Sequence, residues 1–252
     1  MSFDLHFFLF AVPAVILIGL AKGGFSGLGA LGTPLMALGT DDPVKAAAIL
    51  LPILIAQDVV GVAAFRKSWD GWILLVMLPG AIVGIVLGYV LAAAVSSSAV
   101  MACLGAVSIL FGAYRLWAER GGRIAASSTS PAWVGALFGV ATGFTSQIAH
   151  AGGPPFQMWV MPRKLPRDVF VGTSAIFFAV VNWIKVPAYL ALGQFTTANA
   201  ITAGILLPLA ILSSLAGVKL VRRVSPERFY TIVYWLLIAA GTKLLLDGFG
   251  IV

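Results

Sequence analysis

The chain has 252 residues, of which 60% are hydrophobic and only 10% are charged, and its mean hydropathy is +1.03. A soluble domain carries about 25% charged residues, so this composition excludes an ordinary soluble protein and predicts an all-α polytopic membrane protein. The net charge of +7 comes from basic residues in short segments between apolar runs, which indicates membrane orientation rather than nucleic-acid binding.

About eight apolar segments approach the roughly 20 residues that a membrane span requires. They are Leu5–Ala21, Val44–Phe65, Gly71–Val95, Ala99–Leu116, Ala132–Ala149, Val169–Leu192, Ala198–Leu220 and Phe229–Leu246. Four fall before a polar stretch at 119–130 and four after it. We therefore predict one membrane domain over 1–252, with a first repeat at 1–118, a linker at 119–130 and a second repeat at 131–252.

The charges of the connecting loops predict the orientation of each half. Basic clusters such as Arg66-Lys67 and Arg163-Lys164 should be cytoplasmic, whereas the uncharged loops at 95–98 and 193–197 should face outward. Walking between these markers places the spans of the second half in the opposite direction to those of the first. The sequence thus predicts two inverted-topology repeats.

Two glycine- and proline-rich motifs interrupt apolar segments, one in each half. They are Gly23–Pro34 and Gly143–Pro155, and each has Gly-Phe, a hydroxyl residue and a run of small residues that ends in proline. A helix that breaks inside a bilayer leaves backbone groups that only protein or a watery cavity can satisfy. Paired breaks of this kind favour a transporter binding site near the midplane, on broken or re-entrant helices.

Ionisable side chains inside membrane segments are costly and usually functional. Four lie within a span away from its ends or beside or within a motif: Lys22, Asp58, His150 and Lys185. Lysines beside exposed loop amides favour an anion as ligand, and Asp58 and His150 are candidates for proton coupling. Alternatives remain open: Lys22 could reach the membrane surface, Lys185 could pair with Asp58, and His150 could be a neutral packing residue.

We predict a substrate site built from the two motifs and the facing spans. Its candidate residues are Lys22, Gly24, Ser26, Thr33, Thr145, Ser146, His150, Gly152, Gly153, Thr173, Ser174, Asn182 and Lys185. With one cysteine and two histidines we expect neither a metal site nor a cofactor, and no catalytic constellation that would make the chain an enzyme. The sequence leaves open whether the chain forms a homo-oligomer.

Four blocks of the second half and one of the first resemble the TauE/SafE family of sulfite and organosulfonate exporters. They are Gly143–Ser146, His150–Pro155, Gly172–Phe178, Asn182–Pro187 and Lys22–Gly27. The resemblance implies a permease of the bacterial cytoplasmic (inner) membrane that exports sulfite or an organosulfonate such as sulfoacetate by alternating access. A proton- or sodium-coupled importer, an anion channel and a scaffold without transport activity are the alternatives.

Overall fold

The computed structural model describes residues 5–25, 28–92, 94, 96–119, 130–220 and 227–251. Throughout these ranges the regular structure is helical, which confirms the predicted fold class. The helices are α1 (Leu5–Lys22), α2 (Gly32–Thr40), α3 (Pro43–Phe65), α4 (Gly71–Ala92), α5 (Ser97–Glu119), α6 (Ala132–Ala149), α7 (Gly153–Val160), α8 (Arg167–Ala191), α9 (Thr197–Leu220) and α10 (Glu227–Gly248). Short 3-10 turns occupy Leu28–Leu31 and Met161–Arg163.

Seven helices within the described ranges are long and apolar enough to cross a membrane: α1, α3, α4, α5, α6, α8 and α9. The eighth predicted segment forms α10, a helix of 22 residues that packs along α5. Large apolar side chains such as Leu75, Val90 and Leu212 point outward, as the lipid-facing surface of a helix bundle requires. The protein is therefore a multi-pass membrane protein.

The direction of corresponding helices confirms that the halves are inverted. Along α3 and α8, Asp58 meets Asn182, and a Cβ at Gly172 would approach the Phe65 carbonyl oxygen, so the two helices run antiparallel. Helices α5 and α10 are also antiparallel, because Gly105 lies against Gly241 while Gly112 lies against Tyr234. In a parallel repeat, α3 would run in the same direction as α8, and α5 would run in the same direction as α10.

The closest helix contacts join the two halves. Helix α4 runs parallel to α6, and a Cβ added at Gly80 or Gly84 would overlap the backbone of α6 at Ala136 or Val140. Helix α1 runs parallel to α9, and Gly23 lies directly against Gly217. Glycine allows these approaches because only its backbone occupies the contact. Thus α4 of the first half packs against α6, the first helix of the second half, and α9 of the second half packs against α1.

Both predicted hairpins are present. Helix α2 folds back along α1, with Gly39 against Phe10, and α7 folds back along α6, with Gly135 against Trp159. Each return helix is short, at nine residues for α2 and eight for α7. Each hairpin therefore turns inside the bundle and does not cross the membrane a second time. Most of the predicted linker, at 120–129, lies outside the described residues, and the repeat boundaries stay predictions.

Candidate functional site

The first hairpin turns at the end of α1, which stops at Lys22. Gly24 has a φ of 123°, a backbone region that favours glycine, and it directs the chain away from the helix axis. Ser26, a predicted site residue, lies outside the described residues. The turn leaves Lys22 at a helix end inside the bundle.

The second hairpin turns at His150, immediately after α6. His150 has a φ of 50°, in the left-handed region, and its backbone N–H donates to the Ser146 carbonyl at 3.1 Å. Gly152 precedes the first turn of α7, which begins at Gly153 and continues through Pro154 and Pro155. Proline suits this position because N–H groups in the first turn of a helix have no carbonyl partner within the helix, so the N–H that proline lacks costs no hydrogen bond there. A non-glycine residue therefore occupies the sharpest point of this turn.

A buried ion pair joins the first hairpin to α3. The ammonium group of Lys22 contacts Asp58 Oδ1, and Asn182 Nδ2 donates to Asp58 Oδ2 at 2.6 Å. The Lys22 side chain is 13% exposed and that of Asp58 only 2%. The Lys22 nitrogen also lies 5.1 Å from the ring centroid of Phe178. Lys22 therefore pairs inside the bundle instead of extending to the membrane surface, and Asp58 takes Lys22 rather than Lys185 as its ionic partner.

Lys185 is fully buried and is bonded to the end of α6. Its Nζ donates to the Ser146 carbonyl at 3.1 Å, contacts Ser146 Oγ at 3.0 Å and lies 2.7 Å from His150 Nδ1. The Ser146 carbonyl already accepts from the His150 N–H, and Lys185 adds a second donor to it at the end of the helix, where a cation interacts well with the helix dipole. Lys185 thus holds the second helix break from behind.

The contacts of His150 determine which of its nitrogens carries the proton. Its Nε2 lies 2.8 Å from the Ala47 carbonyl, which can only accept, so Nε2 is the donor and Nδ1 accepts from Lys185. The ring stacks on Tyr189 with centroids 5.7 Å apart and an interplanar angle of 11°. The Tyr189 hydroxyl donates to the Gln147 carbonyl at 3.1 Å. His150 is thus a neutral imidazole whose ring is fixed by contacts with Ala47, Lys185 and Tyr189.

A cavity of about 120 Å³ lies between the two helix breaks. This volume holds several water molecules or one small solute. The predicted site residues that line it are Lys22, Gly24, Thr33, Ser146, His150, Gly153, Ser174 and Asn182. Among the described lining residues, Lys22 is the one side chain that carries a formal charge. The cavity therefore joins a single cation to several neutral hydrogen-bonding groups.

Other predicted site residues lie outside the cavity wall. The Thr145 hydroxyl donates to the Ala141 carbonyl of its own helix at 2.7 Å, and Gly152 lies behind the lining against Thr142 and Ser146. The Thr173 hydroxyl donates to the Val169 carbonyl and accepts from the Asp70 amide at 2.8 Å, so it ties α8 to the start of α4. Asp58 and Lys185 act through Lys22, Asn182, Ser146 and His150, which they contact.

Gln157 lines the cavity, and the sequence reasoning missed it. It lies on α7, one turn after Gly153, and its Oε1 has no hydrogen-bond partner among the described residues. A glutamine one turn beyond a glycine–proline break, in an otherwise apolar segment, is the signal that would have identified it. An amide in this place provides a neutral group that can turn its N–H toward a ligand.

A second cavity, of about 70 Å³, lies on the other side of the His150–Tyr189 pair. Its walls include Ala47, Gln147, Tyr189 and Gln194, which belong to the ends of α3, α6 and α8 and to the uncharged loop before α9. His150 faces the first cavity and Tyr189 the second, so the stacked rings form a layer between them.

A family model described as sulfite exporter TauE/SafE matches residues 11–244, which is nearly the whole chain. No curated protein and no solved structure matches.

Proposed function

Because the chain belongs to the sulfite exporter TauE/SafE family, we propose that it exports a small sulfur-containing anion, sulfite or an organosulfonate, across the bacterial inner membrane by alternating access. Membership of the family makes the protein a transporter of sulfur anions in broad terms. The substrate, the direction and the mechanism are the content of the proposal.

The observation that carries the proposal is the position of Lys22. It is the charged side chain of the described cavity wall, and it lies where a helix break opens the backbone. A cation with nearby hydroxyl and amide donors matches a small oxyanion, because charge-assisted hydrogen bonds are the stronger ones. Ser146 and Ser174 add hydroxyl groups on the facing elements. An anion in this cavity would meet the Lys22 ammonium group in competition with Asp58.

The His150–Tyr189 layer supports an alternating-access cycle. The larger cavity reaches toward the side that carries the basic loops, and the smaller one lies beside the uncharged loop at 193–197. By the positive-inside rule, the larger cavity would open toward the cytoplasm and the layer would block exit. An inside-negative potential favours export by about 2.3 kcal/mol per charge for each 100 mV. Export of an anion therefore needs no coupling ion.

The test is flux through purified protein in liposomes under an imposed potential. Sulfite, sulfoacetate, sulfate and chloride are offered separately, and we expect saturable flux of a sulfur anion that follows the potential. Lys22→Met should abolish most of it, whereas Lys219→Met, an exposed lysine at the end of α9, is the matched control. Flux that requires a proton or sodium gradient would indicate a coupled importer, and flux that does not saturate would indicate a channel. Either result would overturn the proposal.

A further inference from the structure

We propose that the cavity selects sulfur oxyanions that carry one negative charge and a short uncharged tail, and that it discriminates against dianions. This inference rests on the proposed function and narrows its substrate class. Among the candidate anions it favours monovalent organosulfonates most, and it favours hydrogensulfite, which meets the charge criterion but has no tail, over the sulfite dianion and sulfoacetate.

The first argument is the charge balance of the site. Lys22 is already paired with Asp58, and Asn182 occupies the other oxygen of that carboxylate. Lys185 is the remaining cation in the cluster, and it lies behind Ser146 and His150. With two lysines and one aspartate, these groups carry at most one net positive charge. A monoanion is compensated by that charge.

A dianion would leave one negative charge without compensation inside the bundle. Charges taken out of water are costly unless they are paired, and the remaining groups of the described cavity wall are neutral. His150 offers no additional charge, because its Nε2 proton is bonded to Ala47 and its Nδ1 accepts from Lys185. The second charge of a dianion therefore has no partner within the cluster.

The second argument is the uneven chemistry of the cavity wall. The polar groups come from the hairpins and from α8, whereas α5 and α10 contribute mainly carbon through Val107, Phe111 and Leu237. Ser108 also faces this side, but its hydroxyl donates to the Leu104 carbonyl of its own helix at 2.7 Å. A ligand with an anionic head and a short aliphatic tail would satisfy both walls, since apolar surface gains free energy on leaving water.

The experiment compares two ligands with the same carbon skeleton. Ethanesulfonate and ethane-1,2-disulfonate compete against labelled sulfite for uptake into liposomes that hold the wild-type protein. We expect ethanesulfonate to inhibit at a concentration lower by about tenfold or more, because the second sulfonate is an uncompensated charge. Methanesulfonate, with a shorter tail, should inhibit less well than ethanesulfonate. Equal inhibition by the mono- and disulfonate, or a preference for the disulfonate, would overturn the inference.

Charge variants make the test specific to the site. Gln157→Lys adds one cation to the cavity wall and should reduce the preference for ethanesulfonate severalfold, whereas Gln157→Met, of similar length, should keep it. Asp58→Asn raises the net charge by the same amount without added bulk and gives a second route if the lysine variant does not fold. An unchanged preference in folded Gln157→Lys and Asp58→Asn proteins would show that charge balance does not set the selectivity. Absence of flux for every sulfur anion in the wild type would instead sink the proposed function itself.

Discussion

The two helix breaks have similar sequences but use their charges in opposite ways. At the first, glycine makes the turn and the lysine at the helix end faces the cavity. At the second, a histidine occupies the left-handed position, and a lysine from another helix is bonded to the break from behind. One hairpin presents a cation to the ligand, whereas the other is held in place by one. Similar motifs in the two repeats therefore have different physical roles.

The largest expected effect is at the first break. Lys22→Met leaves the Asp58 carboxylate with Asn182 as its remaining partner, and removing one member of a buried ion pair costs about 3–5 kcal/mol. Transport should fall to near background and the thermal midpoint in detergent should drop. The double variant Lys22→Met with Asp58→Asn should recover much of the stability but not the transport. A double variant no more stable than the single one would contradict the pairing.

At the second break, Lys185→Met should damage the structure of the turn rather than ligand affinity. It leaves His150 Nδ1 without its donor, at about 1–3 kcal/mol for the unpartnered group, whereas the Ser146 carbonyl keeps the His150 backbone N–H as a donor. We expect a lower midpoint of thermal unfolding and a reduced maximal flux. The substrate concentration that gives half-maximal flux should change little. A wild-type unfolding midpoint, combined with a strongly raised substrate concentration at half-maximal flux, would show that Lys185 binds the anion directly.

Substitution at the glycine of the first turn should have an intermediate effect. Gly24→Ala forces a side chain into a φ of 123°, and strained backbone of this kind costs about 1–3 kcal/mol. Gly204→Ala is the matched control, because a Cβ there meets no atom within 4 Å. Thermal unfolding of both proteins in detergent measures the difference. Equal midpoints would mean that the turn does not depend on glycine.

The smallest expected effect concerns the layer between the cavities. Tyr189→Phe keeps the stacked ring and removes the hydrogen bond to the Gln147 carbonyl, which is worth about 1 kcal/mol. Stability should change little, while Tyr189→Ala, which removes the ring as well, should raise leak flux through the closed state. Efflux from preloaded liposomes without a potential measures this leak. A Tyr189→Ala protein with no more leak flux than the wild type would show that the ring pair does not block passage between the cavities.

The sequence predicted the architecture well because the bilayer leaves few alternatives. Runs of apolar residues mark spans, basic loops mark one side, and a glycine–proline break inside a span must turn within protein. These rules gave the helices, both hairpins and the inverted order of the halves. They work because each rule depends on local composition.

The arrangement of the charges depends on helix rotation, which local composition does not determine. Lys22 meets Asp58 because α1 and α3 present these side chains to one another, and Lys185 faces the end of α6 rather than the cavity. Asn182 and Lys185 lie on the same helix, yet Asn182 lines the cavity and Lys185 does not. Gln157 had a signal in the sequence, as a polar residue one turn beyond the break, but the fold was needed to show that its face of α7 meets the cavity.

The exchange of partners between the halves also affects how the protein is made. Helix α4 is synthesised long before α6, so the face that carries Gly80 and Gly84 has no protein partner while the first half waits in the membrane. Helix α1 similarly waits for α9. Lipid or other membrane components must cover these glycine faces during that interval. The first half is therefore an incomplete folding unit, and the last spans to leave the ribosome complete the packing of the first.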